Sequence, residues 1–317
     1  MQNLKDKRII FAGTPDFAAV HLQALIDNGI KPVAVYTQPD RPAGRGNKLK
    51  PSEVKVLALE NGIEVRTPEN FKDETDVDAF KELKADICIV VAYGVILPES
   101  IINACPFGCI NVHGSILPMY RGAAPIQRAL LDGQKKTGVS IMKVAKKLDA
   151  GDVYTIATLD INDTDTSGTL FDRLASLGAK TLLEALDGIF AGTLKATAQD
   201  EALATYAKKL TKEEALIDFT KTAYEVELKV RGLSPWPVAI TTLDDVKYKV
   251  FHVQAVNEDS NTEPGCITKI DKDGILVSCS KGQVRLVTIQ APGKGQVKAA
   301  DYARSKKDEF TIGKKFG

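Results

Sequence analysis

Asn111, His113 and Asp149 have the types and spacing that can do chemistry. Apolar Cys109, Ile110 and Val112 mark a short buried strand, and Gly114 with Pro118 marks a sharp exit from it into a loop. Side chains two residues apart on a strand share a face. The strand therefore presents an amide and an imidazole side by side at its end, where open α/β sheets place their ligands. These groups suit acyl transfer without a protein nucleophile: the amide to bind a developing oxyanion, the imidazole to handle protons. A third polar group is needed to orient the imidazole. Asp149 in KKLDAGDVY, flanked by Leu148 and Gly151 in a predicted turn between two strands, is the candidate. Alone, Asn111 reads as a turn-capping amide; His113 and the adjoining SILP loop favour the chemical reading.

The surrounding chain supplies a sheet to hold these groups. Arg8 to Gly13 reads as a strand breaking at a glycine, DFAAVHLQALIDNG as a helix stopping at Asn28-Gly29, and Pro32 to Tyr36 as a second strand. This βαβ start predicts an α/β fold, a mostly parallel Rossmann-like sheet with helices on both faces. The first turn, GTPDFA, lacks the G-x-G-x-x-G spacing, so no dinucleotide site is expected. DICIVVAY is almost unbroken in its apolar character, as a central strand buried on both faces is. Its end, from Tyr93 to Leu97, is expected beside the end of the Asn111 strand. After the SILP loop come a helix in GAAPIQRALLDG, strands in KTGVSIMKV and DVYTIATLDI, and a long amphipathic helix closing a first domain at residue 192. Residues 193–209, Ala-rich and polar, read as a linker. Residues 210–317 open on a short helical piece and continue as five short strands, which predicts a small barrel resembling the OB-fold. Trp236 between two prolines reads as a packing anchor.

Composition narrows the class. A chain of 317 residues predicts two domains, and 44% hydrophobic with 26% charged residues is ordinary for a soluble globule. No apolar run is long enough for a bilayer, and the N-terminus lacks a signal-peptide core, so a cytoplasmic protein is expected. Five irregularly spaced cysteines offer neither a disulfide framework nor a metal site. No heptad or apolar edge stands out; a monomer is the expectation, and the oligomeric state is left open by the sequence. Net charge is only +1, yet from Lys281 onward nine basic residues, Lys306 and Lys307 among them, face three acids. A second basic stretch, QPDRPAGRGNKLKPSEV, carries Arg41, Arg45, Lys48 and Lys50 between a strand and a helix, far longer than the usual connection. Both stretches point to a polyanionic partner.

The motifs NVHGSILPMYRG and LDAGD, with FAGTPDFA, QPDRPAGRG, VVAYGVILP and RGLSPWPVA in that order, resemble the formyltetrahydrofolate-dependent formyltransferases over nearly the whole chain. Two positions depart from that pattern: Met119 stands where relatives often carry a basic residue, and VAKK precedes Leu148 where an acidic one is common. The resemblance implies that Asn111, His113 and Asp149 are catalytic and that 10-formyltetrahydrofolate is the donor, with no metal. It also implies that Ser115, Ile116, Leu117 and Pro118, together with the backbone around Tyr93, Val95 and Leu97, hold the folate. The implied acceptor is the amine of methionyl-initiator tRNA, for translation initiation. Arg41, Arg45, Lys48 and Lys50 would then reach the acceptor end, and Lys306 and Lys307 of the barrel the RNA backbone. Alternatives are a formyltetrahydrofolate hydrolase, a formyltransferase for a purine precursor or amino sugar, and a noncatalytic RNA-binding protein.

Overall fold

The computed structural model describes residues 4–43 and 48–317. They form two compact units. The first comprises the chain up to Pro125, Lys136–Asp160 and Phe171–Ala207; the second comprises Ile126–Lys135, Ile161–Leu170 and Lys208–Gly317.

In the first unit, β1 (Ile9–Gly13) is fully buried and runs into α1 (Asp16–Asp27), which ends where Gly29 adopts φ +73°. Next come β2 (Ala34–Tyr36) and an antiparallel hairpin of β3 (Arg41–Ala43) and β4 (Lys48–Lys50). Ser52 then caps α2 (Glu53–Glu60) by accepting from the Lys55 amide at 3.0 Å. After β5 (Val65–Arg66), α3 (Glu74–Glu82), β6 (Ile87–Val91) and α4 (Glu99–Ile102), the chain enters β7 (Cys109–His113). The short helix α5 (Pro125–Leu131), which belongs to the second unit from Ile126 on, precedes β8 (Lys136–Lys143), β9 (Val153–Asp160) and the long α6 (Ser167–Phe190), which belongs to the second unit as far as Leu170.

The sheet order is β5-β2-β1-β6-β7-β8-β9, parallel from β5 to β7 and antiparallel from there on. The C-terminal ends of β1, β2, β6 and β7 thus share one edge. Tyr36, Phe71, Phe80 and Tyr93 fill a core cluster on one side of β1 and β6. The doubly buried strand expected at 86–93 is β6, between β1 and β7.

In the second unit, α7 (Ala223–Gly232) starts with a capping box in which Thr222 and Glu225 satisfy each other's amides. Strands β10 (Ala239–Leu243), β11 (Val246–Val256), β12 (Ile267–Asp271), β13 (Gly274–Ser278) and β14 (Gln283–Gln290) are the five expected ones. They pair in the order β10-β11-β14-β13-β12, and β15 (Val297–Lys298), not anticipated, adds to β14 ahead of α8 (Ala299–Ser305). Residues 313–317 bridge the outer strands: Gly313 and Phe316 donate to the Ile267 and Gly265 carbonyls, while Gly317 and Thr242 exchange backbone bonds. This terminal segment joins the two ends of the antiparallel sheet.

The division differs from the expected one at 192. Residues 161–170 belong to the second unit because Arg231, buried, donates to the Asp165 and Asn162 carbonyls at 2.7 Å, and the Gly168 amide bonds Ser234. Of the linker expected at 193–209, residues 193–207 belong to the first unit: Thr197 pairs with Val153, and Arg121 with Tyr206. Trp236 is half exposed rather than a buried anchor. Among the described residues, no helix is long and apolar enough to cross a membrane.

Candidate active site

β7 makes the switch from parallel to antiparallel pairing, with Asn111 opposite Val90 on β6 and Met142 on β8. Ile110 and Val112 fill the core, so Asn111 and His113 share the other face. Asn111 is half buried, and among the described residues its amide makes no side-chain hydrogen bond. His113 is buried, and its Nε2 lies 2.9 Å from the Tyr120 carbonyl oxygen. A carbonyl only accepts, so Nε2 carries the hydrogen and donates. The remaining ring nitrogen, Nδ1, faces Asp149 Oδ2 at 3.7 Å, too long for a hydrogen bond. The Nε2 hydrogen is thus taken up by Tyr120, and the other ring nitrogen lies beside Asp149.

The loop after β7 is fixed from within. Ser115 Oγ donates to the Met119 carbonyl at 2.6 Å, and Ser140 Oγ donates to the Ser115 carbonyl while accepting from the Leu117 amide. Ser115 and Leu117 are consequently buried, which leaves Ile116 and Pro118 half exposed on the loop. Further along, the segment 120–122 lies against 205–207: the Tyr120 amide donates to Thr205 Oγ1 at 2.9 Å, and Arg121 and Ala207 complete a backbone bridge. Tyr120 has φ +60° and Gly122 φ +120°, and a Cβ at Gly122 would stand 2.8 Å from the Ala207 carbonyl oxygen.

At the end of β6, the Tyr93 carbonyl already accepts from Thr14 Oγ1 at 2.8 Å and Gln38 Nε2 at 3.1 Å. The Tyr93 ring is in the core, where burial raises its pKa, and its hydroxyl has no hydrogen-bond partner among the described residues. Val95 and Leu97 pack partly against the same core, and Ile96 between them is 92% exposed.

Asp149 adopts φ +49°, a strained conformation for a non-glycine residue that costs on the order of 1–3 kcal/mol and persists where surroundings enforce it. Its Oδ2 accepts from the Gly122 amide at 2.8 Å. Three residues absent from the sequence reading stand behind it. Gln199 bonds the turn that carries Asp149, Arg121 is fully buried against Gln199, and Glu201 pairs with Arg121 at 2.9 Å and with Lys147. Arg121, then Lys147, hold the exposed Glu201 carboxyl down at about 2. In the sequence, Arg121 stands as a lone cation just after the loop, and Gln199 and Glu201 fall in the Ala-rich polar stretch that predicts a linker.

The basic groups are less uniform than their sequence implies. Arg41 and Lys50 are exposed on the β3–β4 hairpin, which leaves the sheet at the same edge as β7; Lys50 pairs with Glu53 at 2.7 Å. Arg45 lies outside the described residues, and of Lys48 only the backbone is described. Lys306 pairs with Glu309 at 2.8 Å, whereas Lys307 is exposed.

A family model described as formyl transferase matches residues 7–186. The chain belongs to the formyl transferase family. A second model, the formyl transferase C-terminal domain, matches residues 209–307. Among solved structures, an N-formyltransferase from Helicobacter canadensis, complexed with folinic acid and dTDP-3-aminofucose, is 19% identical, with a TM-score of 0.67 over 90% of this chain and 99% of that one. WlaRD, a sugar 3N-formyl transferase in the presence of dTDP and 5-N-formyl-THF, is 17% identical, with a TM-score of 0.66 over 91% and 99%. HypX from Aquifex aeolicus, in complex with tetrahydrofolic acid, is 17% identical with a TM-score of 0.61; this chain is covered to 94% and spans 47% of HypX. At these identities the likeness is one of fold. For a formyl transferase, the arrangement around β7 offers an unbonded amide donor beside an imidazole and a carboxylate.

Proposed function

We propose that this formyl transferase moves the formyl group of 10-formyltetrahydrofolate to the α-amino group of methionyl-initiator tRNA. The observation that carries the chemistry is the unbonded Asn111 amide two residues from His113, whose Nδ1 faces Asp149 at 3.7 Å. The amine nitrogen attacks the formyl carbon, and the carbonyl oxygen becomes an oxyanion that accepts a hydrogen bond from Asn111. His113 Nδ1 and the Asp149 carboxylate pass on the proton that the amine loses. The bond from carbon to the folate nitrogen then breaks, its electron pair stays on that nitrogen, and the nitrogen takes up the proton. Donor binding by the loop at 115–118 and the backbone at 93–97 is part of the same reading, supported by folate-type ligands named with the neighbours.

The acceptor assignment rests on Arg41 and Lys50, exposed on a hairpin at the site's edge of the sheet, and on the basic surface of the second unit, Lys307 included. A second reading, a small amino-sugar nucleotide as acceptor, is favoured by two neighbours of near-equal length, the N-formyltransferase complexed with dTDP-3-aminofucose and the sugar 3N-formyl transferase WlaRD. Incubation with formyl-labelled 10-formyltetrahydrofolate, methionyl-initiator tRNA and a dTDP-amino sugar together separates the two. Label on the aminoacyl group is expected. Label on the sugar in preference replaces the first reading with the second, and free formate without an acceptor identifies a hydrolase.

A further inference from the structure

We propose that Gln199, locked by Arg121, is a positioning residue that holds the Asp149 carboxylate against His113; this rests on the reading of Asp149 as part of the catalytic trio. Both ends of the Gln199 amide are used twice. Its Oε1 accepts from Arg121 Nε at 3.1 Å and from the Arg121 terminal nitrogen at 2.9 Å, and its Nε2 donates to the carbonyls of Asp149 at 2.9 Å and Gly151 at 2.8 Å. A guanidinium has only donors, so Arg121 dictates that the amide oxygen faces it and the amide nitrogen faces the turn.

The turn needs that support. Residues 145–148 are exposed, and Asp149 holds a left-handed backbone, uncommon for a non-glycine residue. Gln199, fifty residues away, spans the carbonyls on both sides of Ala150 and so fixes the peptide planes that aim the carboxylate. Arg121 contributes twice: its side chain orients Gln199, and the amide of the next residue, Gly122, donates to Asp149 Oδ2. Lys147, in the same turn, closes the ring through Glu201, which also pairs with Arg121. The site is thus braced by a segment, 199–201, that touches no reacting group.

Two variants test the brace. Gln199→Met keeps the length and removes the amide; Gln199→Glu keeps an acceptor for Arg121 and brings oxygen instead of nitrogen to the two carbonyls. Each is measured in the full chain for turnover, with and without Asp149→Asn, and for hydrogen exchange of the Gly122 amide in the free protein. Loss of orientation predicts a fall in turnover of about tenfold to a hundredfold with Asp149 present. With Asp149→Asn, no further loss is expected, because the brace acts only through that carboxylate. Gly122 exchange should rise at least about tenfold, while the Val144 amide, bonded to the Cys109 carbonyl, keeps its rate. The same loss of turnover in both backgrounds, with Gly122 protection unchanged, overturns the proposal. Loss of Gly122 protection in a protein whose Asp149→Asn variant turns over normally upholds the brace and removes Asp149 from the trio. If Gln199→Met does not fold, Gln199→Glu carries the same outcomes.

Discussion

His113 donates from Nε2 to the Tyr120 carbonyl at 2.9 Å, a bond between the last residue of β7 and a residue at φ +60° seven positions later. It fixes the ring so that only Nδ1 is left to exchange a proton, and Nδ1 faces Asp149. In the proposed reaction the oxyanion would therefore be bound by Asn111.

Asn111→Ala should therefore lower turnover by about 100- to 1,000-fold, the range for loss of an oxyanion donor. His113→Ala and Asp149→Ala should each cost at least about a hundredfold, with the double variant less than additive. Steady-state kinetics on variants with unchanged circular dichroism checks this. Near-normal turnover in folded His113→Ala ends the assignment.

Gly122→Ala places a Cβ 2.8 Å from the Ala207 carbonyl oxygen at a φ that L residues rarely adopt. The segment must shift, and with it the amide that bonds Asp149. A loss of about 1–3 kcal/mol in stability is expected, accompanied by reduced turnover. Thermal unfolding and kinetics measured together would show both effects; a variant as stable and active as the parent means the close approach is tolerated.

His21 is fully buried, its Nδ1 bonded to the Phe17 carbonyl at 2.7 Å and its Nε2 without a partner among the described residues. Burial pushes its pKa from 6.5 down to about 4. Within that window the unfolded chain binds a proton that the native state does not, so stability is complete above 6.5 and is lost as pH falls toward 4. The loss amounts to about 3 kcal/mol for this group. Urea unfolding of the protein and of His21→Leu at the two ends of the window should show their stability difference changing by that amount, in favour of the variant at the acid end. A difference that does not move with pH excludes His21 as the source.

For RNA binding, Lys307 is exposed whereas Lys306 already has Glu309 as a counterion. Lys307→Ala should flatten the dependence of log affinity on log salt by about 0.7–0.9, and Lys306→Ala by less. Both should weaken all tRNAs alike, since point charges on a backbone carry no sequence information. Filter binding across a salt series checks this; a larger effect from Lys306, or an effect confined to one tRNA, contradicts it.

Much of the frame was legible from residue order. RIIFAG, the Asn28-Gly29 stop and the five short strands near the end encode local periodicity and turn chemistry, and those are properties of neighbouring residues. Asn111 and His113 could be read for the same reason: alternation on a strand puts i and i+2 on one face, and Gly114 and Pro118 end it. Asp149 was readable as a partner only because it stood in a turn between two strands. Tertiary structure decided the rest. That His113 Nε2 goes to Tyr120 depends on a positive φ at a residue with no sequence signature for one. That Gln199 braces Asp149 depends on an aperiodic segment folding back across fifty residues. Residues 161–170 join the second unit through Arg231, and 313–317 connect its outer strands. Each of these is a pairing between distant segments, set by which buried donors and carbonyls must find partners once the whole core has closed, and local pattern carries no record of that choice.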